Sequence, residues 1–361
     1  MGRHTRRRVL SGIFGALVTV ANLPTVAGET GHSWENNSRY IDIGSNLTTD
    51  LIAVMPLLDG CIVLGQDGHL YRAEEIPQRG SPVRFHSIAT DFATRERQNI
   101  QRAPFQGDVW GVDSDGALVR VDISAEQPST TEELSDGYMM GLSVPTSYPQ
   151  APVFVTTSRG ILQFSLDAGA TWYQSMPPAE GLLSDIDFAC QYTGHAVHED
   201  GTVFEIHRQP DSTQLDWVEL GDRTDESPIV EIHSHGRLDG VCPCQLTPSA
   251  ANEGYVARTA NSDVVVRHRN DHSTLSITAS LTGMHSHQSN TTSEVTVTGQ
   301  DGYLSYHRIT HHVGEDNREE TTFTDLPDRS FRATTGVGGF LVGEAGTFIQ
   351  LTEPPYPRRA Y

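Results

Sequence analysis

The sequence predicts an all-β fold, a seven-bladed β-propeller of four-stranded antiparallel blades, with six blades as the alternative count. Three observations predict it. A hairpin motif recurs along the chain, its spacing matches a four-stranded unit, and the N-terminal strand supplies what the last unit lacks.

The motif is a β-rich run, a turn with an acidic or polar residue followed by glycine, and a second β-rich run. Its copies turn at Gln66-Asp67-Gly68, Ser114-Asp115-Gly116, Ser158-Arg159-Gly160, Glu199-Asp200-Gly201, Gln300-Asp301-Gly302 and Glu344-Ala345-Gly346. Asp-Gly tolerates the positive φ of tight hairpin turns, and the flanking strands alternate their side chains between two faces. The turn glycines step by 48, 44, 41, 101 and 44 residues. The long step spans two periods, so it should hide a degenerate copy. Asn261-Ser262-Asp263, followed by Val264-Val265-Val266-Arg267-His268, fits that place. Seven units then average about 46 residues, the length of a four-stranded blade. One blade with a long insertion in that interval would make six.

An outer strand follows the hairpins, as in Thr171-Trp172-Tyr173, Asp216–Leu220 and Thr322-Phe323-Thr324. None follows the last hairpin, where Glu353-Pro354-Pro355 ends the run. Arg39–Gly44 has the missing character. It is expected to complete the last blade, so that no seam between blades is left free. The propeller domain is therefore placed at 39–353, between a linker at 29–38 and a C-terminal tail at 354–361.

Residues 1–28 read as an export signal. Thr5-Arg6-Arg7-Arg8-Val9-Leu10 and the mild apolar run to Leu23, interrupted by Gly12 and Gly15, resemble a twin-arginine signal. The run is too short and too broken for a comfortable membrane span. Val26-Ala27-Gly28 offers small residues for cleavage. No other long apolar segment occurs. The mature chain is thus expected to be a soluble monomer, extracellular or at the cell surface. Asn36, Asn46 and Asn290 open glycosylation sequons.

The chain carries 25 basic residues, every one an arginine, against 46 acidic residues. Lysine stems add soft apolar surface, and acids hold water tightly. An acid-rich surface without lysine suits very salty water, where screening removes self-repulsion. The same balance argues against nucleic acid as partner, since phosphate backbones need a basic stripe. Cys61, Cys190, Cys242 and Cys244 are too few for a disulfide scaffold. Cys242-Pro243-Cys244 is read as a metal half-site, one arm of a disulfide, or an inert pair.

Ser165-Leu166-Asp167-Ala168-Gly169-Ala170-Thr171-Trp172 matches the Asp-box pattern S-x-D-x-G-x-T-W at every defined position. That resemblance, shared by sialidases and many non-enzymatic propellers, implies a structural turn remote from any catalytic face. The V-G-x-x-G hairpins, clearest at Leu341–Thr347, resemble those of the photosystem II stability/assembly factor-like propellers. The resemblance covers 39–353 as a loose repeat. It implies a chaperone-like binding platform, in a secreted protein of the kind salt-loving archaea make. The expected function is a non-catalytic binding or assembly platform for an extracellular protein or glycan, and fold alone does not settle activity.

Enzyme chemistry finds thinner support. A sialidase binds its substrate carboxylate with three arginines, yet the early arginine motif of that family is absent, and Val83-Arg84-Phe85 does not replace it. G-x-S-x-G and phosphate-loop motifs are missing. Asp113-Ser114-Asp115-Gly116 is a fragment of a calcium loop without its distal glutamate. Histidine, with 16 residues, stands out. Ile232-His233-Ser234-His235 and Met284-His285-Ser286-His287 are near-copies, each expected in the innermost strand of adjacent blades. Side chains at i and i+2 share one face of a strand about 7 Å apart. His233, His235, His285 and His287 therefore form a candidate zinc or copper site, with Asp185 or Asp187 of the preceding blade within reach. The plainer reading is that these histidines bond within their strands and repeat because blades duplicate. No other cofactor is expected. His311-His312 reads as a solvated loop.

Overall fold

The hairpin glycines turn where L side chains are strained. Gly68, Gly116, Gly160, Gly201, Gly302 and Gly346 all hold positive φ. In the degenerate copy Ser262 takes the role at φ 70°. The computed structural model describes residues 40–351 apart from several intervening stretches, the longest being 236–253. The export segment, the linker, Cys242, Cys244, Asn36, Asn290, Asp113, Ser114, Phe323 and the tail lie outside the described residues.

Among those residues the strands form seven four-stranded antiparallel sheets. The first holds β2 (Leu51–Pro56), β3 (Cys61–Gly65), β4 (Leu70–Ala73) and β5 (His86–Ala89). The second holds β6 (Ile100–Ala103), β7 (Asp108–Val112), β8 (Leu118–Asp122) and β9 (Gln127–Glu132). The third holds β10 (Met139–Ser143), β11 (Val153–Thr157), β12 (Leu162–Ser165) and β13 (Trp172–Ser175). The fourth holds β14 (Leu183–Cys190), β15 (Thr193–His198), β16 (Val203–Arg208) and β17 (Leu215–Glu219). The fifth holds β18 (Ile229–His235), β19 (Gly254–Thr259), β20 (Val264–His268) and β21 (Asp271–Leu275). The sixth holds β22 (Leu281–Gln288), β23 (Thr292–Gly299), β24 (Leu304–His312) and β25 (Glu315–Thr322). The last is ordered β1 (Tyr40–Asp42), β28 (Phe348–Leu351), β27 (Phe340–Gly343), β26 (Phe331–Thr334).

The first strand of each sheet neighbours the first strand of the next, and β26 returns to β2. This is an all-β propeller with antiparallel blades. Its core lies in the seams. Each apolar cluster joins the faces of two successive sheets, as where Ile62, Leu64 and Leu70 meet Val109, Val119 and Val121. Across the next seam but one, Phe154 of β11 stacks on Phe188 of β14 with centroids 3.6 Å apart. Burying one such side chain contributes roughly 1.5–3 kcal/mol.

The ends are tied together. Tyr40 faces Leu351 in the β1–β28 ladder. Beyond it, Ser45 Oγ donates to Gly346 O at 2.7 Å. Asn46 accepts the Phe85 N–H at 2.7 Å and donates Nδ2–H to Phe85 O at 3.2 Å, acting as a backbone unit between the last and first sheets. Its sequon nitrogen is thus already engaged.

The Ser165–Trp172 turn is held by its own side chains. Ser165 Oγ accepts the Gly169 N–H at 2.8 Å, and Asp167 Oδ1 accepts the Thr171 N–H at 2.8 Å. Partial desolvation works against the Asp167 carboxylate, but the hydrogen bonds from Thr171 and Ser165 hold it below the usual range. Trp172 packs against the cluster between the second and third sheets.

The sixth sheet corrects two sequence expectations. His311 and His312 end strand β24 rather than lying in a loop, and the outer strand is Glu315–Thr322 rather than Thr322-Phe323-Thr324. Glu315-Asp316-Asn317-Arg318-Glu319-Glu320 has no apolar alternation, because an edge strand is held by backbone pairing and needs no buried face. Charges on it also discourage further strand addition.

Candidate site at the seam of the fourth and fifth sheets

Six of the seven inner strands share a defect, while β6 pairs with β7 in unbroken register. Their pairing slips just after the first residue, between Leu51 and Ala53, Met139 and Gly141, Leu183 and Asp185, Ile229 and Glu231, Leu281 and Gly283, and Phe331 and Ala333. A bulge of this kind sharpens local twist and re-aims the residue after it. The position past the slip is crowded: a Cβ on Gly283 would come within 2.6 Å of Arg332 O. Ala53, Gly141, Gly283 and Ala333 meet that demand with little or no side chain. Asp185 and Glu231, in adjacent sheets, place carboxylates there instead.

Asp185 Oδ2 accepts the Ile232 N–H at 2.9 Å, and Asp187 Oδ2 accepts the Ser234 N–H at 2.7 Å. Two side chains of β14 thus do for the edge of β18 what a strand would do. Asp187 Oδ1 also accepts Ser143 Oγ–H from β10 at 3.0 Å, while that hydroxyl accepts the Phe188 N–H at 2.8 Å. Ser234 Oγ donates to Asp187 O at 2.5 Å. With that proton committed, His195 Nδ1, 2.9 Å away, is the donor to Ser234 Oγ.

Around His233 the charges interlock. Its Nε2 lies 3.2 Å from Glu231 Oε1, whose other oxygen accepts Arg258 Nε–H at 2.8 Å. Arg258 reaches on to donate to Leu281 O of β22 at 3.2 Å. The tie continues where Thr282 Oγ1 donates to Phe331 O of β26. A polar thread therefore joins the inner strands from the third sheet to the last.

Burial pushes the Asp185 carboxyl up to about 7, helped by the Glu231 charge and opposed by the N–H groups of Ile232 and Ile186. Burial likewise raises Asp187, against the pull of His233 and of the N–H of Ser234. Glu231 is also penalised by burial, yet its bond to His233 and the Arg258 charge bring it down to about 2. Burial disfavours His233 as a cation, but Glu231, Asp187 and Asp185 together hold it above the ordinary imidazole range. The Asp185 and Glu231 carboxyls of one seam are thus driven apart, the first up toward neutrality and the second down.

His233 and His285 lie where the sequence places them, on neighbouring inner strands β18 and β22. The side chains of His235 and His287 lie outside the described residues. Among the described residues no group of three or more His, Cys, Asp or Glu is arranged to hold a metal ion. Asp185 and Asp187 stand beside His233, but their oxygens accept backbone N–H groups. Sequence reasoning missed Glu231, Arg258, Ser143, Ser234 and His195. Aligning the inner strands at the slip would have exposed Glu231, as the second acid where other sheets have Ala or Gly. Cys61 and Cys190 are buried, and burial raises both thiols away from reactivity. No helix among the described residues is long and apolar enough to cross a membrane.

No family model matches the chain, and no curated protein matches it. Solved structures do. A structure titled YCF48 bound to D1 peptide superposes with a TM-score of 0.56 at 12% identity, covering 88% of this chain and 96% of that one. YCF48 from Cyanidioschyzon merolae gives 0.57 at 10% identity, covering 87% and 98%. At such identities the likeness is one of fold, and it agrees with the sheets: the chain has a β-propeller fold of the kind seen in YCF48.

Proposed function

We propose that the chain is an exported, salt-adapted propeller, its seven sheets forming seven blades, that serves as a non-catalytic platform for an extracellular protein or glycan partner. The observation that carries this reading is the fold likeness over nearly the whole length to YCF48, one structure of which holds a D1 peptide. The acid excess supports salt adaptation, and the paired arginines near the N-terminus support export. At the candidate seam the carboxylates are spent on backbone N–H groups, which suits a scaffold better than a reaction centre. Peptide and glycan arrays probed with chain 29–361 at molar salt test the proposal. Saturable binding of one ligand class, without turnover of fluorogenic glycosides, is expected. Glycoside turnover, or arrays blank for both ligand classes, would sink it.

A second reading keeps the inner-strand histidines as a zinc or copper site at His233, His235, His285 and His287. The adjacency of β18 and β22 favours it. Elemental analysis of the untagged protein tests it, with loss of bound metal in His233→Ala/His285→Ala. Protein free of metal after exposure to zinc and copper rejects it.

A further inference from the structure

Three large apolar side chains are exposed among the described residues: Met176 at 72%, Tyr138 at 56% and Val218 at 46%. Two of them stand at one end of the third sheet. Tyr138 leads into β10, whose first residue pairs with Thr157, and Met176 follows β13, whose last residue pairs with Leu162. The β11–β12 turn, residues 158–161, lies between them on the same face. Three strand spacings separate inner strand from outer, which puts the two residues about 14 Å apart.

The fold's demand at Tyr138 falls on the main chain. In six sheets the residue before the inner strand accepts an N–H from the hairpin turn of its own sheet: Asp50, Tyr138, Leu182, Pro228, Ser280 and Ser330. That bond asks nothing of the side chain. Tyr138 is nevertheless held in place. Its O accepts the Ser158 N–H at 2.7 Å, and its N–H donates to Ser158 Oγ at 3.1 Å. Its ring lies against Gly116, where a Cβ would fall 2.5 Å from Tyr138 Cδ1. The crossover that Met176 begins, residues 176–182, is pinned as well. Glu199 N–H donates to Leu182 O at 2.8 Å, and a Cβ on Gly160 would fall 1.9 Å from Gly181 O. Side chains carried on a fixed main chain lose less freedom when they bind.

Charge selects the occupant. Exposed acids border the line from Tyr138 to Met176 on both sides: Asp115 in the turn of the second sheet, and Glu180, Glu199 and Asp200 in the crossover and the turn of the fourth. Arg159, at the tip of the turn between the two anchors, is the one arginine among the described residues of these turns and the crossover. A second copy of the chain, with its net charge of −21, would meet like charge here. Methionine takes apolar side chains well and offers sugar hydroxyls only a weak sulfur acceptor, which favours a protein over a glycan. In an extended segment, side chains four residues apart share one face about 13 Å apart, which matches the anchors. We propose that this face docks an extended segment of a partner protein, with apolar side chains four residues apart on Tyr138 and Met176, an uncharged or acidic residue over Arg159, and basic side chains reaching the bordering acids. The proposal rests on the platform reading and gives it a place and a partner chemistry. At molar salt the screening length is about 3 Å, so the charges act at contact and the apolar anchors carry the affinity.

Fluorescence anisotropy of a labelled seven-residue peptide, with chain 29–361 at molar salt, tests it. The peptide carries leucine at its second and sixth residues, aspartate at its fourth and arginine elsewhere. Saturable binding is expected, weakened on the order of tenfold by Tyr138→Ala and by Met176→Ala. Moving the later leucine to the fifth residue turns it to the other face and should weaken binding as much. Binding that neither variant nor the moved leucine alters overturns the proposal, as does a lack of saturation at millimolar peptide. Should Tyr138→Ala disturb the fold, Met176→Ala and the altered peptide decide. Failure here is separable from failure of the platform. An array ligand that still binds Tyr138→Ala/Met176→Ala keeps the platform and removes this surface, and a glycan whose binding that variant loses overturns the choice of a protein segment.

Discussion

The Asp185 carboxylate accepts the backbone N–H of Ile232 at 2.9 Å, so a titratable side chain of one sheet completes the hydrogen bonding of the next. The cohesion of that seam is therefore tied to pH.

The folded protein holds the Asp185 carboxyl up to about 7, whereas an unfolded chain loses that proton near an ordinary carboxylate value of about 3.9. Ionising it disfavours the fold increasingly as pH rises through this window. His233, raised above the ordinary range, contributes stability that is full below about pH 6.5 and lost as pH climbs through its folded value. Both act in one direction. Glu231, brought down to about 2, acts in the other, and only as pH falls below about 4.5. Thermal unfolding should show a higher Tm near pH 5.5 than near pH 8.5, and Asp185→Asn should flatten the slope. A Tm that rises over this interval contradicts the assignment.

Glu231 serves two cations at once, and its side chain is 13% exposed. Glu231→Gln should cost about 3 kcal/mol, because Arg258 and His233 are left without their counter-charge. Replacing both Glu231 and Arg258 by methionine should cost less than Glu231→Gln alone. Denaturant titration of the two variants gives the order, and a double variant that costs as much as Glu231→Gln or more would refute the interlock.

Asn46 closes two backbone groups of Phe85 with one amide. Asn46→Ala leaves both unmatched and should cost roughly 1–3 kcal/mol. Asn46→Asp should be no milder at neutral pH, since its carboxylate faces the Phe85 carbonyl. Unchanged midpoints for both variants would show that the amide is incidental to ring closure.

Salt should stabilise the mature chain into the molar range, since its 46 acids oppose only 21 arginines once the four of residues 1–28 are gone. Unfolding midpoints followed across potassium chloride concentrations check this. A chain equally stable in dilute buffer would set aside salt adaptation.

The hairpins were legible because glycine at positive φ leaves a mark in sequence, and even Asn261-Ser262-Asp263 kept the register of its turn. The Ser165–Trp172 turn was legible because each defined residue bonds a neighbour. Strand β25 was hidden, since its polar sequence goes with a place at the edge of its sheet. The candidate seam was half visible. The spacing of His233 and His285 shows in the sequence, but Glu231 meets Arg258 only through the β18–β19 pairing, and Asp187 meets Ser234 across sheets 47 residues apart. Contacts of that span have no local signature.

The β1–β28 ladder also dictates an order of events. The strand made first has its partner among the last, with Tyr40 waiting on Leu351. A ribosome can release blade after blade, but the ring stays open until synthesis reaches the far end. Loss of a few residues around Phe348–Leu351 would then undo both termini at once. Joining residues near 40 and 351 and cutting at another crossover should give a chain that closes with the same contacts.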